Sequence, residues 1–244
     1  MGTDHVTLND TLEDLFGLSF RALTTVKTLF VRPSDYYAAA MVKDWGGRFT
    51  PSMRMWLSLF ALLSLLQFIW LRTDGPLVTA TAASISEAGI VLPIGMTVDQ
   101  LSQRIYVAGY SAYPVLALIA LTLGGMLFPF WGENHTKGTK IRSTFATLIP
   151  STIVSVSILV LTVTLSTSQI IMFVWIPWLI DGLFDFTTAA RGAFPESKTI
   201  TRLLRALALA IWLGVINFGA SIAAQVFGLA FLQIQTGVPL LFGG

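Results

Sequence analysis

The stretch QIIMFVWIPWLIDGLFDFTTAA, residues 169–190, decides how the rest of the chain is read. A helix needs about 20 mostly apolar residues to cross a bilayer. This one reaches that length only if Asp181 and Asp185 belong to the span. Carboxylates at membrane depth are costly, and they mark either function or pairing with another helix. Comparable apolar runs flank the stretch on both sides. Of 244 residues, 54% are hydrophobic and 11% charged, against about 25% charged in soluble domains. The runs do not alternate, which excludes the pattern of a membrane β-barrel, with its segments of about ten alternating residues. The expected fold class is all-α: a polytopic membrane helical bundle with five transmembrane helices and amphipathic cytosolic amino-terminal helices.

Working outward, the five spans are expected at about 55–71, 113–130, 145–165, 169–190 and 204–231, within a transmembrane domain of residues 51–235. Only Ser166-Thr167-Ser168 separates the third span from the fourth, which makes those two antiparallel neighbours. Trp56 and Trp70 lie near the two ends of the first span, where interfacial aromatics are expected. Residues 72–112 read as an extracytoplasmic loop, with a short helix between Thr97 and Tyr110, and residues 236–244 as an extracytoplasmic tail.

Residues 1–50 read as a cytosolic, juxtamembrane segment. Leu8, Leu12, Leu15, Phe16, Leu23, Val26 and Phe30 recur at helical spacing through residues 8–31, while Asp10, Asp14, Arg21 and Thr28 follow the other face. Such a helix is expected either to lie among the headgroups or to pack on the cytosolic ends of the spans. Arg32-Pro33 breaks it, and a second short helix is expected over Ser34–Asp44, closed by Gly46-Gly47. The segment lacks the apolar core of a signal peptide, and Val6 stands where a myristoylation motif needs Ser or Thr.

Lysines and arginines set the orientation. Thirteen lie on one side of the expected spans: Arg21, Lys27, Arg32, Lys43, Arg48 and Arg54 before the first, Lys137, Lys140 and Arg142 before the third, and Arg191, Lys198, Arg202 and Arg205 before the fifth. Only Arg72 and Arg104 lie on the other side. Under the positive-inside rule the amino terminus is cytoplasmic and the carboxyl terminus extracytoplasmic. Juxtamembrane basic residues such as Arg32, Lys43, Arg48 and Arg54 gain about 1 kcal/mol each beside an anionic leaflet. Anionic lipids at the cytosolic face are therefore an expected partner. The basic residues follow the loops rather than forming one basic face, so no nucleic-acid partner is expected.

Catalytic signals are absent from the sequence. There is no cysteine, and none of the HExxH, GxSxG, Walker or GxGxxG patterns occurs. His135, beside Glu133 and Asn134, has no second histidine near enough to suggest a metal site. The sequon Asn134-His135-Thr136 falls on the expected cytosolic side, where it is inert. No catalytic residue, metal or cofactor is expected.

Three features together resemble a known family: the cytosolic lead TVKTLFVRPSDYYAAAMVKDWGGRFTPSMRMW, the segment KGTKIRSTFATLIPST, and five spans with the amino terminus inside. The chain is similar, from about residue 20 to 230, to Yip-type membrane proteins and their bacterial relatives of unknown function. Arg32-Pro33, Pro51, Phe145 and Pro150 stand at the matching positions. The resemblance implies the five-span fold and a bacterial inner membrane. Eukaryotic members act in vesicle trafficking through small GTPases, but no segment here matches a GTPase-binding motif, and that role is not carried over.

The intramembrane polar residues remain. Asp181 and Asp185 share a helix face, and three readings are open for them. They sit at the cytosolic interface and meet Arg191 or basic residues of the amino-terminal helices. Alternatively they handle protons or ions, or they pair with another subunit. Gly214, Asn217, Ser221, Gln225 and Gly228 form a stripe in the fifth span, readable as a packing seam (Gly214, Ser221, Gly228) with Asn217 and Gln225 hydrogen bonding across helices. Ser151, Ser155 and Thr162 lie on one side of the third span, so a hydrated path is the other reading. The expected function is that of a non-enzymatic adaptor or accessory subunit that binds other membrane proteins. The alternative is a small transporter or channel using the fourth-span carboxylates.

Overall fold

Within hydrocarbon, an apolar run satisfies its own backbone only as a helix, and the described residues hold eight helices and no strand. The computed structural model describes residues 20–70, 75–87, 89–90, 92–132, 135–162, 169, 175–195 and 197–237. In chain order the helices are α1 (Phe20–Val31), α2 (Pro33–Val42), α3 (Ser52–Trp70), α4 (Pro76–Glu87), α5 (Val98–Leu127), α6 (Lys137–Thr162), α7 (Trp175–Gly192) and α8 (Thr199–Thr236). Three stretches are long and apolar enough to cross a membrane: Val98–Leu127, Lys137–Val160 and Thr199–Thr236. A shorter apolar helix covers Ser52–Gln67. In the 169–190 stretch, α7 carries the part from Trp175 onward. Residues 170–174 and the Ser166–Ser168 connection lie outside the described residues, as do Asn134 and the amphipathic pattern of residues 8–19.

Several helices begin earlier than the hydropathy suggests, because polar caps start them. Thr97 and Gln100 form a capping box ahead of α5: Gln100 Oε1 accepts the Thr97 N–H at 3.0 Å, and Thr97 Oγ1 accepts the Gln100 N–H at 3.3 Å. The helix then runs unbroken through Pro114. The segment expected as a loop over 72–112 therefore contains α4 and the first turns of α5. Thr136 Oγ1 likewise accepts the Thr139 N–H at 3.2 Å and starts α6. The 38 residues of α8 extend roughly 57 Å at about 1.5 Å per residue, well beyond a hydrocarbon core of about 30 Å.

The chain forms two compact units. Unit 1 comprises Met1–Leu59, Gly125–Ile153 and Asp181–Ile211, and unit 2 comprises Phe60–Gly124, Val154–Ile180 and Trp212–Gly244. All thirteen basic residues named above for one side fall within unit 1, while the described residues of unit 2 hold Arg104.

Unit 1 is built on α1 and α2. The buried stripe of α1 is Ala22, Thr25 and Leu29, whereas Leu23, expected on the apolar face, is 67% exposed. Small residues and a hydrogen bond select this face: Thr25 Oγ1 accepts the Thr50 N–H at 2.9 Å. Trp56, expected at an interface, is instead buried against Phe145, ring centroids 4.9 Å apart. Tyr36 packs between Trp45 and Phe49, and its hydroxyl donates to the Thr50 carbonyl at 2.7 Å.

The carboxyl ends of α1 and α2 carry carbonyls with no partner in their own helix. Pro33 has no N–H to continue α1. Arg191 of α7 instead donates from Nη1 to Phe30 O (3.0 Å) and from Nη2 to Val31 O (2.6 Å). At the end of α2, Lys43 adopts a left-handed conformation with φ 59°, and the Lys43 and Asp44 N–H groups both reach Ala39 O. Arg142 of α6 takes the next two carbonyls, donating from Nε to Ala40 O (2.5 Å) and from Nη2 to Met41 O (3.2 Å). Hydrogen bonds from a charged donor are worth about 1.5–3 kcal/mol each, and a planar guanidinium serves two acceptors where an ammonium meets one. Arg142→Ala is expected to lower the apparent unfolding midpoint of the detergent-purified chain by roughly 5–10 °C. Arg142→Lys is expected to recover less than half of that loss, as followed by circular dichroism.

Candidate functional site

The buried face of α7 carries Asp185, Thr188, Ala189 and Gly192, a helical stripe at three- and four-residue steps. Around it, unit 1 assembles a cluster of hydroxyls beside one carboxyl. Gly192 is dictated by proximity, because a Cβ there would overlap the Tyr37 ring of α2. Tyr37 is fully buried, and its hydroxyl lies 2.6 Å from Thr147 Oγ1 of α6. Thr147 in turn donates to Ser143 O at 2.9 Å. A threonine has one hydroxyl hydrogen, so Tyr37 is the donor in the first bond. One turn further along α6, Ser151 lies beside the Asp185 side chain, and its hydroxyl donates to Leu148 O at 3.0 Å.

Asp185 is 5% exposed, and its Oδ1 has no hydrogen-bond partner among the described residues. The Ser143 hydroxyl, fully buried, is in the same condition. Buried polar atoms without partners are uncommon and costly, so Asp185 is the one candidate position that sequence and geometry both single out. Asp181 lies one turn earlier on the same helix face and is half-buried. The terminal nitrogens of Arg191, offered by the sequence as partners for these acids, go to the α1 carbonyls instead. A buried carboxyl near Tyr37 and Ser151 is suited to accept a hydrogen bond or a proton. The cluster brings together no nucleophile with a histidine base, the pairing that covalent catalysis uses.

The other expected positions lie elsewhere. Asn217 and Gln225 belong to unit 2. Asn217 Oδ1 accepts from the Tyr113 hydroxyl at 2.7 Å. The Gln225 amide covers Gly109, where an added Cβ would lie 2.7 Å from Gln225 Oε1. Gly228 packs on the same α5 backbone, and a Cβ there would come within 2.6 Å of Gly109 N. Ser221 is half-buried, and a Cβ on Gly214 would meet nothing within 4 Å. The fully buried stripe of α8 in this unit is Leu213, Ala220, Ala224 and Leu232, with Gly228, next to the polar residues that the sequence made conspicuous. Arg32, Lys43, Arg48 and Arg54 are all exposed, with the Arg48 guanidinium 4.9 Å from the centre of the Phe49 ring.

Sequence reasoning missed Tyr37, Thr147, Arg142 and the role of Arg191. The available signal was the hydroxyl repeat Ser143, Thr147, Ser151 at four-residue spacing beside an arginine. No family model, curated protein or solved structure matches the chain.

Burial pushes the Tyr37 phenol well above the usual tyrosine range, and the nearby Asp185 adds to this, while the bond to Thr147 opposes it. Burial raises Tyr36 in the same direction, with Tyr37 adding to it. Both phenols are therefore held neutral in the folded chain beyond the pKa of about 10 of an exposed tyrosine. Their contribution to stability is complete below about pH 10 and declines above it, because the unfolded phenols then ionise first. Ultraviolet titration of the folded protein is expected to leave at least two of the five tyrosines, Tyr36 and Tyr37, un-ionised until alkaline unfolding, and one fewer in Tyr37→Phe. The alkaline loss of stability is expected to be shallower in that variant.

Proposed function

We propose that the chain is a non-enzymatic integral membrane protein that acts as an adaptor or accessory subunit of a membrane protein complex. It crosses a bacterial inner membrane five times, with the amino terminus in the cytoplasm and the carboxyl terminus outside, on the plan of Yip-type proteins. The observation that carries the reading is the α1–α2 platform. Its carboxyl ends are clamped by Arg142 and Arg191, yet it leaves Leu23, Val31 and Val42 at 67%, 57% and 73% exposure beside exposed Arg21, Lys27, Arg32 and Lys43. A fixed surface mixing large apolar and basic side chains suits an anionic membrane surface and a protein partner. The segregation of basic residues into unit 1 supports the cytoplasmic orientation. Gentle extraction from native membranes, cross-linking and mass spectrometry are expected to recover a membrane-protein partner that a Leu23→Glu, Val42→Glu double variant loses. A chain that is always alone and monomeric contradicts the reading.

A second reading, a small transporter or channel, is favoured by one observation, the buried Asp185 Oδ1 without a donor. It predicts that Asp185→Asn and Asp181→Asn change proton or ion flux into vesicles carrying the reconstituted protein. Unaltered flux in both variants removes it.

A further inference from the structure

In unit 2, α5 and α8 meet through glycine. A Cβ on Gly228 would lie 2.6 Å from Gly109 N, so at this point the helices touch backbone to backbone. Further along, Trp212 Nε1 donates to Gly124 O at 2.9 Å. Rising numbers on α5 thus meet falling numbers on α8, and the pair is antiparallel. Along the flank of the crossing runs an open groove of about 480 Å³. Arg104, Ala108 and Ala112 of α5 line it on one side, and Phe227, Phe231 and Gln235 of α8 on the other. Each set recurs every four residues and so forms one continuous helix face. The alanines leave the groove its depth, and the two phenylalanines, 58% and 47% exposed, wall it.

Polarity changes along this groove. Because the helices are antiparallel, Arg104 and Gln235 share one end, and the remainder is apolar apart from Ser111: Val107, Ala108, Ala112, Phe227, Phe231 and Leu232. From Arg104 to Ala112 is roughly 12 Å along the helix at about 1.5 Å per residue. That is most of the roughly 15 Å depth of one leaflet's hydrocarbon, half of a core of about 30 Å. Arg104 is the one basic residue among the described residues of unit 2, and no lining residue is acidic. A cation at the polar end of an apolar slot complements a phosphate above an acyl chain. The lack of a lining carboxylate leaves nothing to meet a headgroup amine.

We infer that this groove holds one anionic phospholipid, its acyl chain along Ala108, Ala112 and Phe231 and its phosphate at Arg104. The inference rests on α5 and α8 crossing a bilayer and is independent of any adaptor role. Phosphatidylcholine carries a phosphate too, but its choline cation opposes Arg104, so what the arginine selects is the uncompensated charge of an anionic headgroup, a preference of about fivefold for one basic residue.

The test is native mass spectrometry of the delipidated full chain offered equal amounts of phosphatidylglycerol and phosphatidylcholine. The expected result is one retained phosphatidylglycerol, favoured about fivefold. Arg104→Gln is expected to bring the ratio near one, and Ala112→Phe, which fills the groove, to abolish retention of both lipids while helix content stays unchanged. Equal retention of the two lipids by the unaltered chain overturns the inference. So does phosphatidylglycerol binding that survives both substitutions, or a groove filled by a second copy, seen as a lipid-free dimer. Resistance of the chain and both variants to alkaline carbonate extraction is measured alongside. Extraction of the unaltered chain refutes the membrane reading itself, whereas lost lipid preference in a retained chain refutes only the lipid site.

Discussion

Four carbonyls at the end of every α-helix lack a partner inside it. Short helices at the start of a membrane protein feel this most, since ten or twelve residues are too few to be stable alone. Here α1 ends at a proline and α2 at a left-handed lysine, and each break leaves carbonyls for another element to satisfy. Arg191 and Arg142 supply the donors. Because these arginines belong to α7 and α6, each satisfies the end of a short helix and fixes that helix to a longer one. Other contacts in unit 1 share the arrangement. The Arg142 carbonyl accepts from Ser52 Oγ at 2.8 Å at the start of α3, Thr25 holds the Thr50 N–H, and Tyr37 reaches Thr147. The polar cluster around Asp185 is enclosed as a result of this docking.

Composition was enough to establish helices rather than strands, and the basic residues that the sequence places on one side also gather in one unit. Both readings depend on sums over many residues, which neighbours do not alter. What the sequence concealed were features that depend on a specific neighbour. Leu23 fits the apolar periodicity of α1, but Ala22 and Thr25 face inward, since contact with the chain at Thr50 requires small side chains and a hydroxyl. The short helix expected between Thr97 and Tyr110 and the span after it are one continuous helix, α5, because Ser111, Ala112 and Pro114 between them do not interrupt it.

The acids of the 169–190 stretch show the same limit at the candidate site. Sequence spacing put Asp181 and Asp185 on one face and offered Arg191, six residues beyond Asp185, as a partner. The arginine is near in sequence but is occupied by the carbonyls of α1, a segment far away in the chain. Asp185 faces hydroxyls from α2 and α6 instead. Of the two glycines named for the α8 seam, a Cβ on Gly228 would meet the Gly109 backbone and one on Gly214 would meet nothing within 4 Å, since helices approach most closely only where they cross.

The central claim is that α1 and α2 form a docked platform held by two guanidinium groups. Amide hydrogen exchange of the full chain in lipid nanodiscs tests it most directly. The account predicts that amides from Thr24 to Val42 exchange far more slowly than in a free peptide of that sequence, and that an Arg142→Ala, Arg191→Ala double variant loses this protection while α8 keeps its own. Free-peptide exchange across residues 24–42 in the unaltered protein, or full protection in the double variant, would contradict it.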